Sequence, residues 1–292
     1  MRPVLSKLTL FILAFALGVS GCTEKDIDAI PDTPAEDNPN TVSGIVLDTK
    51  GQPIANAKVR AENTALSTGS FVEGKTGADG RYSLPLSALG GWTVLAWKDV
   101  TDADGQVYHL RIAGATDADY EPFSPGTKTV VRNFKWKLSG NITDRSQAAD
   151  YSAGYFGGSL HFVNAHFQDG NDAATEMPAG TKVNVTLTPV TGATYLDGSP
   201  ATEVITKSFT IVDRVLRDVN FYIGDIPVTK YTVTAKTGAG NPVYLGRNKF
   251  NYNDHTAAAD ALFYPSTLSS GSYESGVGVS AATDFPYYMS ER

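Results

Sequence analysis

An all-β protein, built as two β-sandwiches in tandem behind a short leader and a polar tether, is the architecture this sequence predicts. Three observations carry that expectation. Thr, Gly, Val, Ser and Tyr are plentiful, while Leu-rich stretches of helical period are scarce beyond the leader. Runs that alternate apolar and polar residues recur between Gly-, Pro- and Asp-containing turns, as strands with one buried face do. The same grammar of strands and turns is met in both halves. With 41% hydrophobic and 19% charged residues among 292, the chain can bury a real core. Its length beyond the leader suits one large or two ordinary domains. A single cysteine excludes an internal disulfide, so stability must come from packed sheets. The formal charge of -7 argues against a nucleic-acid partner, because neutralising phosphates needs clustered Lys and Arg.

Residues 1–21 read as a secretory signal, with Arg2 and Lys7, an apolar run from Leu8 to Val19, and then small residues. The run is about a dozen residues long, short of the roughly 20 a spanning helix needs. Val19-Ser20-Gly21-Cys22 resembles the lipobox of bacterial lipoproteins, an aliphatic residue and two small ones before the cysteine. The resemblance implies a lipid on Cys22, a mature chain beginning there, and a membrane as partner through that lipid. The alternative is an ordinary secreted protein with a free thiol. Residues 22–40 are acidic, contain proline and hold almost no large apolar side chains, the composition of a flexible tether. Within them Thr23-Glu24-Lys25-Asp26 looks like the acidic signal that directs Bacteroidetes lipoproteins to the outer face of the outer membrane. A generic polar tether is the competing reading.

The first sandwich is expected over 41–140. Val42 to Asp48 alternates, and Gly51-Gln52-Pro53-Ile54 makes a turn. Ala57 to Ala61 alternates again, and Asp79-Gly80 leads a hairpin-type turn into Tyr82 and Leu84. Trp92-Thr-Val94-Leu-Ala96-Trp97 is the next strand. These stretches resemble the carboxypeptidase regulatory-like domain, a transthyretin-like (prealbumin-like) β-sandwich. The residues that carry the likeness are Val42, Gly44 and Val46 in the opening strand, then Asp48, Gly51, Pro53, Ile54, Ala57 and Val59, and finally Thr76, Asp79, Gly80, Tyr82 and Leu84. The family's Gly-x-Tyr before the following strand is replaced by Gly90-Gly91-Trp92. The likeness covers roughly Thr41 to Lys98, and it implies a fold while saying almost nothing of function. An Asp-rich insertion between Asp99 and Pro125 carries a short strand, Val107 to Ile112. Thr129 to Leu138 puts Phe134, Trp136 and Leu138 on one face and Lys135 and Lys137 on the other, as a closing strand would.

After a junction at 141–158, a second sandwich is expected over 159–248, with strands at Ser159–Asn164, Lys182–Leu187, Val204–Val212 and Val219–Ile223. The stretch from Gly224 through Tyr231-Thr-Val233-Thr-Ala235 parallels the approach to Trp92-Thr-Val94-Leu-Ala96, so the two halves have the marks of related topology. Residues 249–292 are rich in Tyr, Ser, Gly and Ala. They predict an irregular segment draped over the second sandwich, with a short helix at Thr256 to Leu262.

Residues fit for chemistry are few. His161 and His166 lie five apart on one predicted strand, which points them to opposite sides and away from a shared metal; His109 and His255 are isolated. No Gly-x-Ser-x-Gly elbow, His-Glu-x-x-His helix or P-loop is present, an acylated Cys22 could not be a nucleophile, and the scattered glutamates form no recognisable pair. The chain therefore reads as a non-enzyme without a cofactor. Asp102-Ala-Asp104-Gly105 offers oxygen ligands for Ca²⁺ but is too short for an EF-hand loop, and Ala113 stands where the distal Glu would fall. The plainer account is a solvated Asp-Gly turn. If Trp92, Val94 and Ala96 face the core, Trp97 faces outward. Beside Tyr108 or Tyr120 it would make an apolar platform with a polar rim, suited to sugar rings; the alternative is that the second domain covers it or that the faces are reversed.

Three functions compete on these grounds. One is a lipid-anchored, non-catalytic surface protein that binds an extracellular ligand, foremost polysaccharide in a glycan-uptake system, or a surface protein. A second is a fimbrial or adhesin subunit, since Bacteroidetes fimbrillins are also lipoproteins made of two transthyretin-like sandwiches. A third is a hydrolase whose carboxylates are assembled by the fold.

Overall fold

The computed structural model describes residues 37–65, 70–143, 154–165, 176–213, 218–249, 251–265 and 286–291. Cys22, His166, Glu274 and most of the tether lie outside them. The described residues belong to one unit, Ala35–Arg292. They form strands joined by turns, with 3-10 turns at Asp117–Tyr120 and Tyr252–Asp254. No helix among them is long and apolar enough to cross a membrane.

The first sandwich holds β1 (Thr41–Leu47), β2 (Lys58–Asn63), β3 (Phe71–Lys75), β4 (Arg81–Pro85), β5 (Trp92–Thr101), β6 (Val107–Gly114), β7 (Val130–Val131) and β8 (Phe134–Lys135). They hydrogen-bond in the order β3-β2-β5-β6-β8-β1-β4, with β7 beside β1. The end strands of this path come together without pairing: a Cβ on Gly74 of β3 would stand 2.6 Å from Leu84 of β4.

Every motif residue quoted above has a scaffold task. Val42, Val46, Ile54, Ala57, Val59, Tyr82 and Leu84 are buried in the core. Asp48 accepts the N–H groups of Lys50 and Gln52 at 2.8 Å each, and Gly51 completes that turn at a φ of 80°. The buried Thr76 hydroxyl donates to the Ile54 carbonyl (2.6 Å) and accepts from the Ala57 N–H (2.9 Å). Tyr82 donates its hydroxyl to the Arg132 carbonyl at 2.8 Å. Burial, reinforced by the Asp119 carboxylate, pushes this phenol well above its ordinary range, so it keeps its proton.

The second sandwich repeats this wiring. Its strands are β9 (Gly158–Asn164), β10 (Lys182–Pro189), β11 (Ile205–Thr210), β12 (Val219–Ile226), β13 (Tyr231–Thr237), β14 (Pro242–Gly246), β15 (Ala258–Asp260) and β16 (Tyr287–Ser290). Their order is β11-β10-β13-β14-β16-β9-β12, position for position that of the first half. In each half the last strand in chain order runs parallel to the first: β8 to β1 and β16 to β9. The registers match as well. Val94 and Ala96 pair with Ala61 and Val59, as Val233 and Ala235 pair with Leu187 and Val185. All eight side chains are buried.

Four expectations are corrected. The stretch after Trp97 is not an insertion: β5 continues to Thr101 and pairs with β6 as a long hairpin, because Asp102 closes its end by accepting the N–H groups of Asp104 and Gln106 at 2.9 Å each. The closing strand at Thr129–Leu138 is broken into β7 and β8. Between them Asn133 accepts the Ile45 N–H through its side chain and donates its own N–H to Asp119. No helix forms at Thr256–Leu262. Thr256 bridges Leu245, and β15 pairs with β13, whose open backbone groups outcompete a local helix. Likewise, residues 287–290 of the supposedly irregular tail supply a central strand of the second sandwich.

The sandwiches share a continuous apolar cluster. Leu110, Trp136 and Leu138 of the first half and Phe156, Leu196 and Val228 beyond it line a junction void of about 10 Å³, room for one water at most. Thr49 donates to Asp197 at 2.5 Å, the Gly140 N–H to Asp225 at 2.7 Å, and Lys230 pairs with Asp104 at 3.1 Å. Burial works to raise the Asp197 carboxyl, but hydrogen bonds from Ser199 and Thr49 outweigh it and hold the group below its ordinary range.

Candidate binding face

Strand alternation builds the site. With Trp92, Val94 and Ala96 inside, Thr93, Leu95 and Trp97 stand on the outer face of β5. Lys58-Val59-Arg60-Ala61-Glu62 of β2 alternates likewise and turns its three charges outward. Register then sets the neighbours. Trp97 lies opposite Lys58 on one side and Arg111 on the other, while Leu95 lies opposite Arg60. Arg60 in turn faces Glu73, and Glu62 faces Phe71, on the edge strand β3.

Trp97 is half-buried, with the Lys58 ammonium 5.9 Å from its ring centroid. Lys58 also reaches Asp99 at 3.2 Å, and the other oxygen of Asp99 lies 2.8 Å from His109 Nδ1. Burial works to raise the Asp99 carboxyl, but the bonds from His109 and Lys58 outweigh it and hold it low. Arg60 binds Glu73 (2.6 Å from Nε) and Glu62 (3.3 Å), and its guanidinium stacks 3.9 Å over the exposed Phe71 ring. The face thus offers two aromatic side chains, each beside a cation, among carboxylates that those cations already engage. Such a surface can stack a flat apolar ring and exchange hydrogen bonds around it.

The three aromatics expected to share a platform go to different places. Trp97 is on the face. Tyr108 points into the core, 1% exposed, because it alternates with the outward Val107 and His109; its hydroxyl donates to the Phe263 carbonyl at 3.4 Å. Tyr120 sits at the end of the 3-10 turn, its hydroxyl accepting the Gly114 N–H at 2.8 Å and its ring 5.9 Å from the Arg111 guanidinium. The Asp pair considered for Ca²⁺ is engaged in turn closure by Asp102 and in the ion pair with Lys230 by Asp104. Among the described residues no three His, Cys, Asp or Glu side chains are grouped to hold a metal. His161 stacks on Tyr222 (4.4 Å between centroids) and bonds Asn220 at 2.9 Å; burial lowers its pKa, which the Asn220 bond partly offsets. Lys58, Arg60 and Phe71 were not singled out from sequence. The alternation of β2 is the signal that could have found the first two.

Fold and face together define a tandem sandwich module with an outward aromatic surface. Residues 41–120 match the family model of the carboxypeptidase regulatory-like domain. No curated protein matches the chain. Solved structures with some likeness include a 9R-lipoxygenase from Cyanothece PCC8801 (13% identity, TM-score 0.21, covering 49% of this chain and 20% of that one). The Bacillus anthracis TIE protein is another (12%, 0.27, 76% and 31%). Shaft pilin SpaA from Lactobacillus rhamnosus GG is a third (10%, 0.21, 87% and 98%). The chain therefore spans about a fifth and a third of the first two, and none of the three is close enough to carry a function across.

Proposed function

We propose that this is a non-catalytic binding protein, held on the bacterial outer membrane by a lipid on Cys22, that captures an extracellular polysaccharide on the outer face of its first sandwich. The observation that carries the reading is Trp97, turned out of the core by strand register with Lys58 and Leu95 beside it. Flat indole and aliphatic surface suit the C–H face of a pyranose ring, and the flanking charges suit its hydroxyls. The lipobox resemblance supports the anchor, and the tether after it would give the sandwiches reach.

The test is a glycan-array screen of the unit Ala35–Arg292 and its Trp97→Ala variant, with thermal melts of both. The reading expects selective glycan binding that weakens at least about tenfold in the variant, since losing one stacking side chain at a binding centre removes roughly 1.4 kcal/mol or more. Silence from both proteins, or binding untouched by the substitution, would overturn it.

A second reading, a structural subunit of a surface fibre, draws support from two sandwiches of the same seven-strand order, joined by Thr49–Asp197, Gly140–Asp225 and Asp104–Lys230. A tandem tied at several points transmits force without hinging.

A further inference from the structure

We propose that β16 is an exchangeable strand: the slot between β9 and β14 also accepts residues 286–291 of a second copy of this chain, so that copies can be coupled by swapped C-terminal strands. The inference is independent of any glycan site.

The slot is internal. Tyr287 and Tyr288 pair in parallel with Phe162 and Val163, while Tyr288, Met289 and Ser290 pair antiparallel with Gly246, Leu245 and Tyr244. Without the strand, both neighbours would present open edges over an apolar floor, a state that recruits a strand from any source. The lodging is specific. Tyr287 and Met289 are buried. The Tyr287 ring stacks on Phe162 at 5.3 Å with the Arg247 guanidinium 3.5 Å from its centroid, and its hydroxyl donates to the Asp260 carbonyl. Ser290 Oγ lies 3.0 Å from the Nδ1 of the buried His255, and Glu291 accepts from Asn241 at 3.3 Å. All these partners lie between residues 162 and 260, so a strand from another copy would meet each of them.

Chain length separates β16 from its counterpart. Both connections to the last strand are tied at points on the way: Phe123 bridges Trp92 and β7 pairs with β1 in the first sandwich, and Thr256 bridges Leu245 and β15 pairs with β13 in the second. In the second, 20 residues (266–285), six of them Ser and three Gly, separate Pro265 from Pro286. Fully extended they reach about 65–70 Å. Contacts within a chain and between chains are the same, so effective concentration decides between them, on the order of millimolar for a linked strand. Dilute chains should therefore close on themselves. Chains refolded near that concentration, or crowded on a surface, should exchange.

The experiment refolds the unit Ala35–Arg292 at about 10 μM and about 1 mM, the range set by that effective concentration, and measures mass by size exclusion with light scattering. A Leu245→Cys/Met289→Cys variant is run beside it. Leu245 directs its N–H and C=O to Thr256, so it meets Met289 as a non-hydrogen-bonded pair, the spacing a disulfide needs. The expected result is a dimer fraction at least about tenfold larger after concentrated refolding. That fraction should vanish when the variant is oxidised as a monomer before unfolding, and return on reduction. Variant chains refolded at high concentration and then oxidised should run as covalent dimers. A monomer at every concentration, or dimers that the oxidised variant forms equally well, would overturn the proposal. If the double-cysteine chain does not refold, N-terminally donor- and acceptor-labelled wild-type units co-refolded at about 1 mM should show energy transfer that excess peptide Asp284–Glu291 suppresses; transfer that ignores the peptide would count against it.

Discussion

In the first sandwich the last strand lies beside a β1 that carries Gly44; in the second it lies beside a β9 that carries Leu160. Phe134 pairs with Val46 and Tyr287 with Phe162, so Gly44 and Leu160 hold equivalent places. The glycine answers a local demand, since a Cβ there would stand 1.7 Å from the Arg132 carbonyl oxygen, where the chain crosses between β7 and β8. Leu160 instead buries its side chain in the second core. The hairpins differ too. β5–β6 runs to Thr101 and Val107 and brings Tyr108 and Asp104 against Phe263 and Lys230 of the second half, while β13–β14 closes sooner, at Thr237 and Pro242. One wiring diagram thus tolerates different fillings wherever a second segment does or does not cross it.

Substitutions can break or sharpen this comparison. The largest effect is expected at the two last strands. Tyr287→Ala and Phe134→Ala should each cost about 3–5 kcal/mol, because each removes a buried ring from an interior position. Urea unfolding would read it, and a Tyr287→Ala protein of unchanged stability would end the claim that β16 is equivalent to β8. Next come the matched first strands. Leu160→Ala should cost about 2–5 kcal/mol by leaving a cavity. Gly44→Ala should cost about 1–3 kcal/mol or more by forcing the Arg132 carbonyl aside. Opposite changes in volume would both destabilise, and a neutral Gly44→Ala would show that the crossing at Arg132 is loose. Thr76→Val should follow at about 1–3 kcal/mol, since it strands the buried Ala57 N–H that the hydroxyl satisfies.

The smallest effect is at the junction and depends on pH. The folded Asp197 carboxyl titrates below its unfolded value of 3.8. Its contribution is therefore complete above that value and is lost as pH falls through the lower folded pKa. Asp197→Asn should lower the melting temperature slightly at pH 7. It should also make the loss as pH falls below about 4 shallower than in the wild type, by roughly the modest amount a partly exposed group supplies. Parallel acid profiles for the two proteins would remove Asp197 from the account of the junction.

Much of the first sandwich was legible because its turns are written in residues with few alternatives. Asp48 with Gly51 and Asp79 with Gly80 each name a turn, and the runs between them alternate cleanly. The second sandwich was legible as strands, and Tyr231-Thr-Val233-Thr-Ala235 signalled its likeness to the first. Its last strand was hidden because Tyr287 to Ser290 is short and lies far from its partners in sequence. The face was half legible. Alternation turned Trp97 outward, but which aromatics would join it depended on the length of β5, and that length brought Tyr108 inside.

By itself the sequence determined strand phase, turn positions and the alternation that separates Val94 from Trp97, because these follow from backbone sterics and a period of two within a few residues. Only the tertiary structure decided which strands are neighbours, that β16 closes the second sandwich, and that Lys58, Arg60 and Phe71 gather around the outer face of β5. Those outcomes depend on pairing between segments tens of residues apart, where hydrogen bonds to a free sheet edge outweigh what any short stretch prefers alone.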